Sequence, residues 1–263
     1  MASRSKQKEE ARARRLAEEQ ARADSERRQR RVRMLGGLAL AAAAVVAVAI
    51  VISSSGGSSA GLKTGTQSKQ VTGQVNQLLA GIPQSGATLG SPSAPVTMTY
   101  YGDLQCPVCR DFTLDGGFPA LVSKDVRSGK VKVVYKSFQT ATPDPQTFQT
   151  QQVAALAAGK QNHFWDYTEL FYRQQGQEGT SYVNDAYLTG LAQQIAGLDV
   201  NKWHTDRNDP ALVSQVVADG RDGAAAGVRG TPTLIMQGPK GKSQVPQAVP
   251  TYAQLQQAIQ SVS

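Results

Sequence analysis

Val96-Thr97-Met98-Thr99-Tyr100-Tyr101-Gly102-Asp103-Leu104-Gln105-Cys106-Pro107-Val108-Cys109 contains both cysteines of this 263-residue chain. Its first six residues are β-branched, aromatic or long and apolar, the composition of a buried strand. Gly102 to Gln105 then read as a turn. Pro107 falls where a helix would have its first residue, a position that has no use for the missing N–H. Two thiols spaced C-x-x-C at a helix start lie on one face, one turn apart, close enough for a small reversible disulfide. The unpaired N–H groups of the first turn favour the thiolate of the first cysteine. Strand, turn and cysteine-bearing helix thus form a unit suited to thiol–disulfide exchange.

Charge places this unit in a compartment. Residues 1–33 carry 12 Lys and Arg against 6 Asp and Glu, a net +6 out of the chain's +8. The basic character is therefore that of a tail, which argues against a nucleic-acid-binding domain. Met34 to Ile52 follow without a charge, 19 residues dominated by Ala, Val, Leu and Ile. As a helix they would span about 28 Å, close to a bilayer's hydrocarbon thickness. Arg27, Arg28, Arg30, Arg31 and Arg33 crowd one flank, and Ser53 to Ala60 on the other carry none. The positive-inside rule then predicts a single-pass anchor over 34–52, with a cytoplasmic tail over 1–33 and everything beyond outside. A cleaved signal peptide is the alternative, since Ser58-Ser59-Ala60 offers small residues to a peptidase, but the long tail and long apolar core favour retention. Outside the cytoplasm disulfides form and persist. A bridge closing so short a loop would constrain the unfolded chain little, so chemistry is the better reason for the pair.

Further along, 53–84 reads as a Ser/Gly-rich tether to Gln70 and then a short helix carrying Val71, Val75, Leu78 and Leu79. Ala87-Thr88-Leu89 reads as an edge strand. The cysteine helix is predicted to run to about Val126, and Val131 to Lys136 form a second strand, parallel to the first. Helices are expected over 149–158, 163–174, 185–196 and 210–227, an insertion of about 143–227. Thr233 to Met236 and Ser243 to Val249 read as paired strands around a turn at Gly238 to Gly241. Tyr252 to Val262 close the chain as an amphipathic helix.

The order β-α-β, helical block, β-β-α is that of an α/β thioredoxin-like fold with an α-helical insertion. Tyr101 to Cys109, with Gly230-Thr231-Pro232-Thr233 and the aromatic run His163-Phe164-Trp165-Asp166-Tyr167, resemble the DsbA-like thiol–disulfide oxidoreductases over residues 85–262. The resemblance implies Cys106 as an exposed nucleophile, Cys109 as a buried resolving thiol, and a cis Thr231–Pro232 bond beside the disulfide for substrate binding. It implies no cofactor beyond the redox-active Cys106–Cys109 disulfide. Its partners would be cysteine-containing exported proteins and a membrane protein that re-oxidises or reduces the pair. Disulfide formation is the expected direction. Alternatives are an extracytoplasmic reductase or isomerase, for which 53–86 leaves little room for a dimerisation domain, and a peptide-binding module with a structural disulfide. Val108 stands where many strongly oxidising members have histidine, and Gln105 where thioredoxin has tryptophan. With Pro107, Val108 is a candidate modulator of the pair.

Asp103 is also a candidate modulator, either handling the proton of Cys109 or capping the turn, with capping the better-supported reading. Lys136 reads as a solvated strand-end lysine. His163 and His204, the only histidines, are too far along the chain from the cysteines to fit a compact zinc pattern. They read as surface or packing residues, with Trp165, Tyr167, Phe171 and Tyr172 as core of the helical block.

Overall fold

A computed structural model describes residues 61–263. The charged tail, the expected anchor at 34–52 and the tether up to Ala60 lie outside the described residues. Among those described, no helix is long and apolar enough to cross a membrane.

The first helix, α1 (Gly65–Leu79), buries Val71, Val75 and Leu79 at a spacing of four. It begins before the apolar pattern does, inside what reads as tether. Its start is fixed by partners distant in sequence: Lys63 N donates to Gln174 Oε1 at 2.9 Å, and Ser68 Oγ to Gln194 Oε1 at 2.9 Å. The Arg127 guanidinium takes the carbonyls of Leu78 and Ala80 at the other end.

Six strands, β1 (Gln84–Ser85), β2 (Thr88–Leu89), β3 (Val96–Gly102), β4 (Val131–Ser137), β5 (Thr233–Gly238) and β6 (Gly241–Val245), form one sheet in the order β1-β2-β4-β3-β5-β6. The β3–β4 pair is parallel, in register from Val96↔Val131 to Gly102↔Ser137, and all other pairs are antiparallel. Strand β3 is central, and its Met98 and Tyr100 are fully buried. The expected edge strand at Thr88-Leu89 is flanked outside by β1, whose two polar residues carry no strand pattern. Strand β6 starts at Gly241 and stops at Val245, because Pro246 has no N–H for the ladder. Gly102 ends β3 where a Cβ would lie 2.6 Å from the Tyr135 ring. Only glycine lets that ring cross the strand end.

The cysteine helix is shorter than its composition suggests. Helix α2 (Pro107–Leu114) gives way at Gly116-Gly117 to α3 (Phe118–Leu121) and a π-type turn over Val122–Val126. At Gly117 a Cβ would meet the backbone of Thr251 and Tyr252 at 2.7 Å, and its N–H donates to Pro250 O at 2.8 Å. The break thus seats the last helix, α9 (Tyr252–Val262), which Thr251 and Gln254 cap reciprocally.

The insertion comprises α4 (Pro145–Gly159), α5 (Phe164–Arg173), α6 (Asp185–Ala192), α7 (Val200–Asp206) and α8 (Pro210–Ala225). Helix α7 was not expected. It is about two capped turns around a single large apolar residue, Trp203, too short to show a period. The aromatic residues of α5 are core, and they belong to the sheet's core as much as to the insertion's. Trp165 stacks on Phe118 at 5.5 Å, and its indole N–H donates to Ala87 O at 3.1 Å. Phe164 lies 5.3 Å from Tyr135, which in turn meets Tyr100 at 5.3 Å.

Candidate active site

Cys106 is the N-cap of α2, with an extended backbone (φ −71°, ψ 118°) and Pro107 at the first helical position. Cys109 N–H points at Cys106 Sγ from 3.4 Å. Across the site, the Thr231–Pro232 bond is cis, and Thr231 O accepts from Cys106 Sγ at 3.3 Å. Residues 125 positions apart are thus in contact. Both cysteines are free thiols.

Cys109 is fully buried, but Cys106 is only 4% exposed, so the expected exposed nucleophile is instead recessed. The cis-proline loop covers it from one side. Val108, at 38%, is what the tip of the helix shows to solvent. The Cys106 thiol is lowered to about 7. The chief cause is a hydrogen bond from the Cys109 side chain; burial opposes it, and the Thr231 side chain and the N–H groups of Cys109 and Val108 assist. The helix N-terminus therefore contributes, as the sequence implies, but the partner thiol contributes more. Cys109 is pushed well above the ordinary thiol value, first by burial and then by hydrogen bonding to, and charge on, Cys106.

Asp103 is fully buried and takes six donors. Oδ2 accepts from the N–H groups of Thr140, Ala141 and Thr142 at 2.9–3.0 Å. Oδ1 accepts from Gln105 N–H, the Thr142 hydroxyl and Gln151 Nε2. A carboxylate so occupied ties the cysteine turn to the loop after β4. That loop reaches the cis-proline in turn, through a hydrogen bond between the Thr140 and Thr231 hydroxyls. Thr140, Thr142 and Gln151 carry no motif, and sequence reading had no means of finding them.

Lys136 is engaged by Asp222, with Asp219 at 3.9 Å, and makes no contact with the thiols. His163 precedes α5 and pairs with Asp166 at 3.2 Å, while His204 lies edge-on to Trp203. Among the described residues no group of three or more His, Cys, Asp or Glu side chains is placed to hold a metal ion.

The thioredoxin family model matches residues 84–261. Disulfide bond formation protein D of Bacillus subtilis is 25% identical over 172 residues, 63% of this chain and 74% of the relative. The Na(+)/H(+) antiporter NhaA 1 of Mycolicibacterium gilvum is 29% identical over 160 residues, and the match spans only 24% of that protein's length. Among solved structures, oxidised BdbD of Bacillus subtilis superposes with a TM-score of 0.58 at 21% identity, covering 68% of this chain and 94% of its own. That likeness is one of fold. Since the family match runs from β1 almost to the end of α9, well over half the sequence, the chain belongs to the thioredoxin family.

Proposed function

We propose that this protein introduces disulfides into exported proteins, with Cys106 as the exchanging sulfur and Cys109 as the resolving one. The observation that carries this reading is the unequal placement of the two thiols: Cys106 caps α2 against the cis-proline loop and is lowered to about 7, whereas Cys109 lies fully buried one turn on and is raised. In the oxidised form a substrate thiolate attacks Cys106 Sγ, the Cys106–Cys109 bond breaks, and Cys109 leaves and takes up a proton. A second substrate thiolate then attacks the substrate sulfur of the mixed disulfide. Cys106 leaves as a thiolate, and two electrons have passed from substrate to protein. A low-pKa sulfur is the better leaving group, so the second step favours the oxidised substrate. Thr231 and Pro232, beside Cys106, would border the substrate segment. The name of the Bacillus subtilis relative supports the same direction.

The lowering of Cys106 is moderate, and Val108 brings no imidazole. The expected reduction potential therefore lies between about −270 mV, typical of thioredoxin, and about −120 mV, typical of the strongest oxidants. Equilibration of the cysteine pair against glutathione measures it. A value at or below the thioredoxin figure would make the protein a reductant, and a pair inert to glutathione and to insulin would leave a binding module.

Residues 34–52, behind five arginines, support a retained anchor with the catalytic domain outside the cell membrane and a membrane protein as redox partner. After cell fractionation the intact chain should pellet with membranes and keep residues 1–33 protected from external protease. A soluble form beginning near Gly61 would overturn this.

A further inference from the structure

The turn that carries Cys106 is gripped from the helical insertion. Three of its carbonyls accept from insertion side chains. Asp103 O takes the Tyr172 hydroxyl at 3.4 Å, and Gln175 Nε2 donates to both Leu104 O at 2.8 Å and Cys106 O at 3.1 Å. Side chains of the turn also reach the other way, Gln105 Nε2 donating to Gln151 Oε1 of α4 at 3.1 Å. Gln175 itself follows α5 on a half-buried stretch outside any helix or strand. Both hydrogens of its amide are spent on the turn.

We propose that Gln175 is a positioning residue for the exchange reaction, its amide holding the carbonyls of Leu104 and Cys106 so that the Cys106 sulfur stays aligned with the N–H groups that favour its thiolate. Cys106 O is also the first acceptor of α2, taking Arg110 N–H at 3.1 Å, and Gln175 occupies its second lone pair. An N-cap residue must keep an extended backbone while its side chain turns back over the first helical turn. Between Gly102 and Pro107 no ladder enforces that geometry; the turn's own bonds, Cys106 N–H to Asp103 O at 3.0 Å and Gln105 N–H to Asp103 Oδ1 at 3.1 Å, hold its start, and the carbonyls of Leu104 and Cys106 are held from outside. The amide also brings the positive end of an N–H dipole to the residue that ionises, which is only 4% exposed. The grip makes the reactivity of Cys106 depend on how the insertion is seated. The inference rests on the exchange reading above.

The test titrates Cys106 in the reduced full-length protein by thiolate absorbance, with disulfide exchange rates taken across pH. Gln175→Met keeps length and removes the donor, Gln175→Glu places an acceptor and a negative charge against the two carbonyls, and Gln175→Lys restores a donor. Gln175→Met is expected to raise the Cys106 pKa by about half a unit to one unit. Gln175→Glu should raise it further, and Gln175→Lys should leave it at or below the wild-type value. Exchange through Gln175→Met should slow about three- to tenfold below pH 7 and recover at high pH. A merely structural role would slow exchange equally at every pH and show no such order. None of these changes removes core packing, and a Gln175→Met protein with an unshifted Cys106 would overturn the proposal. Should the wild-type protein exchange no disulfides, the exchange reading fails, while the Cys106 titration still decides the role of Gln175.

Discussion

Replacing Cys109 by serine is expected to turn the protein into a trap. Substrate disulfides attacked by the Cys106 thiolate should accumulate as mixed disulfides on it, because in that direction of exchange the buried Cys109 sulfur is the nucleophile that would expel the substrate thiol, and it is gone. Cys106→Ser should abolish exchange, with turnover falling on the order of a thousandfold or more, as when any covalent nucleophile is removed. The pH dependence follows from the lowered thiol. Cys106 is about half thiolate near pH 7, so its alkylation by iodoacetamide should rise as pH passes upward through 7 and level off above. Cys109, buried and shifted the other way, should stay unlabelled over that range. The largest influence on Cys106 is the hydrogen bond from the residue-109 side chain. Serine retains a donor there and alanine does not, so Cys109→Ala should move the Cys106 profile to higher pH than Cys109→Ser does. Equal labelling of both thiols, or trapping through Cys109, would reverse the roles.

Asp103→Ala is expected to be the most destabilising single change at the site. It strips acceptors from the N–H groups of Gln105, Thr140, Ala141 and Thr142, and from the Thr142 hydroxyl and the Gln151 amide. Each buried donor left alone costs about 1–3 kcal/mol, and water entering the gap recovers part of that. A net loss of about 3–5 kcal/mol is therefore expected, read from the urea midpoint of the reduced protein. The damage should spread, because the freed loop also carries Thr140, whose hydroxyl holds Thr231 beside Cys106. Asp103→Asn keeps one oxygen and should lose about half as much. If Asp103→Asn instead left stability intact while halting resolution of the mixed disulfide, the carboxylate would be handling the Cys109 proton and not capping the turn.

Much of the frame was legible along the chain. Strand β3 declared itself through β-branched and aromatic residues, α2 through Pro107, and α9 through the spacing of Leu255 and Ile259. These signals are local, because backbone propensity, capping and periodicity act within a turn or two. Elements without such signals were missed or misplaced. The two residues of β1, the single-tryptophan helix α7 and the first six residues of α1 take their form from partners elsewhere in the fold.

The same division runs through the site. Cys106, Cys109, Thr231 and Pro232 stand in two short motifs, and from the sequence alone they could be expected to lie together, as they do, with Thr231 O 3.3 Å from Cys106 Sγ and the Thr231–Pro232 bond cis. Only the folded chain decided how the cysteine pair is tuned. It recesses Cys106, makes the Cys109 thiol its chief stabiliser, and ties the turn to Thr140, Gln151 and Gln175. Gln175 lies 69 residues from the cysteine whose carbonyl it holds, and Thr140 lies 37 from Asp103. Hydrogen bonds between loops leave no period in a sequence, since which carbonyl a glutamine will meet depends on where packing of the aromatic core sets down the helix before it.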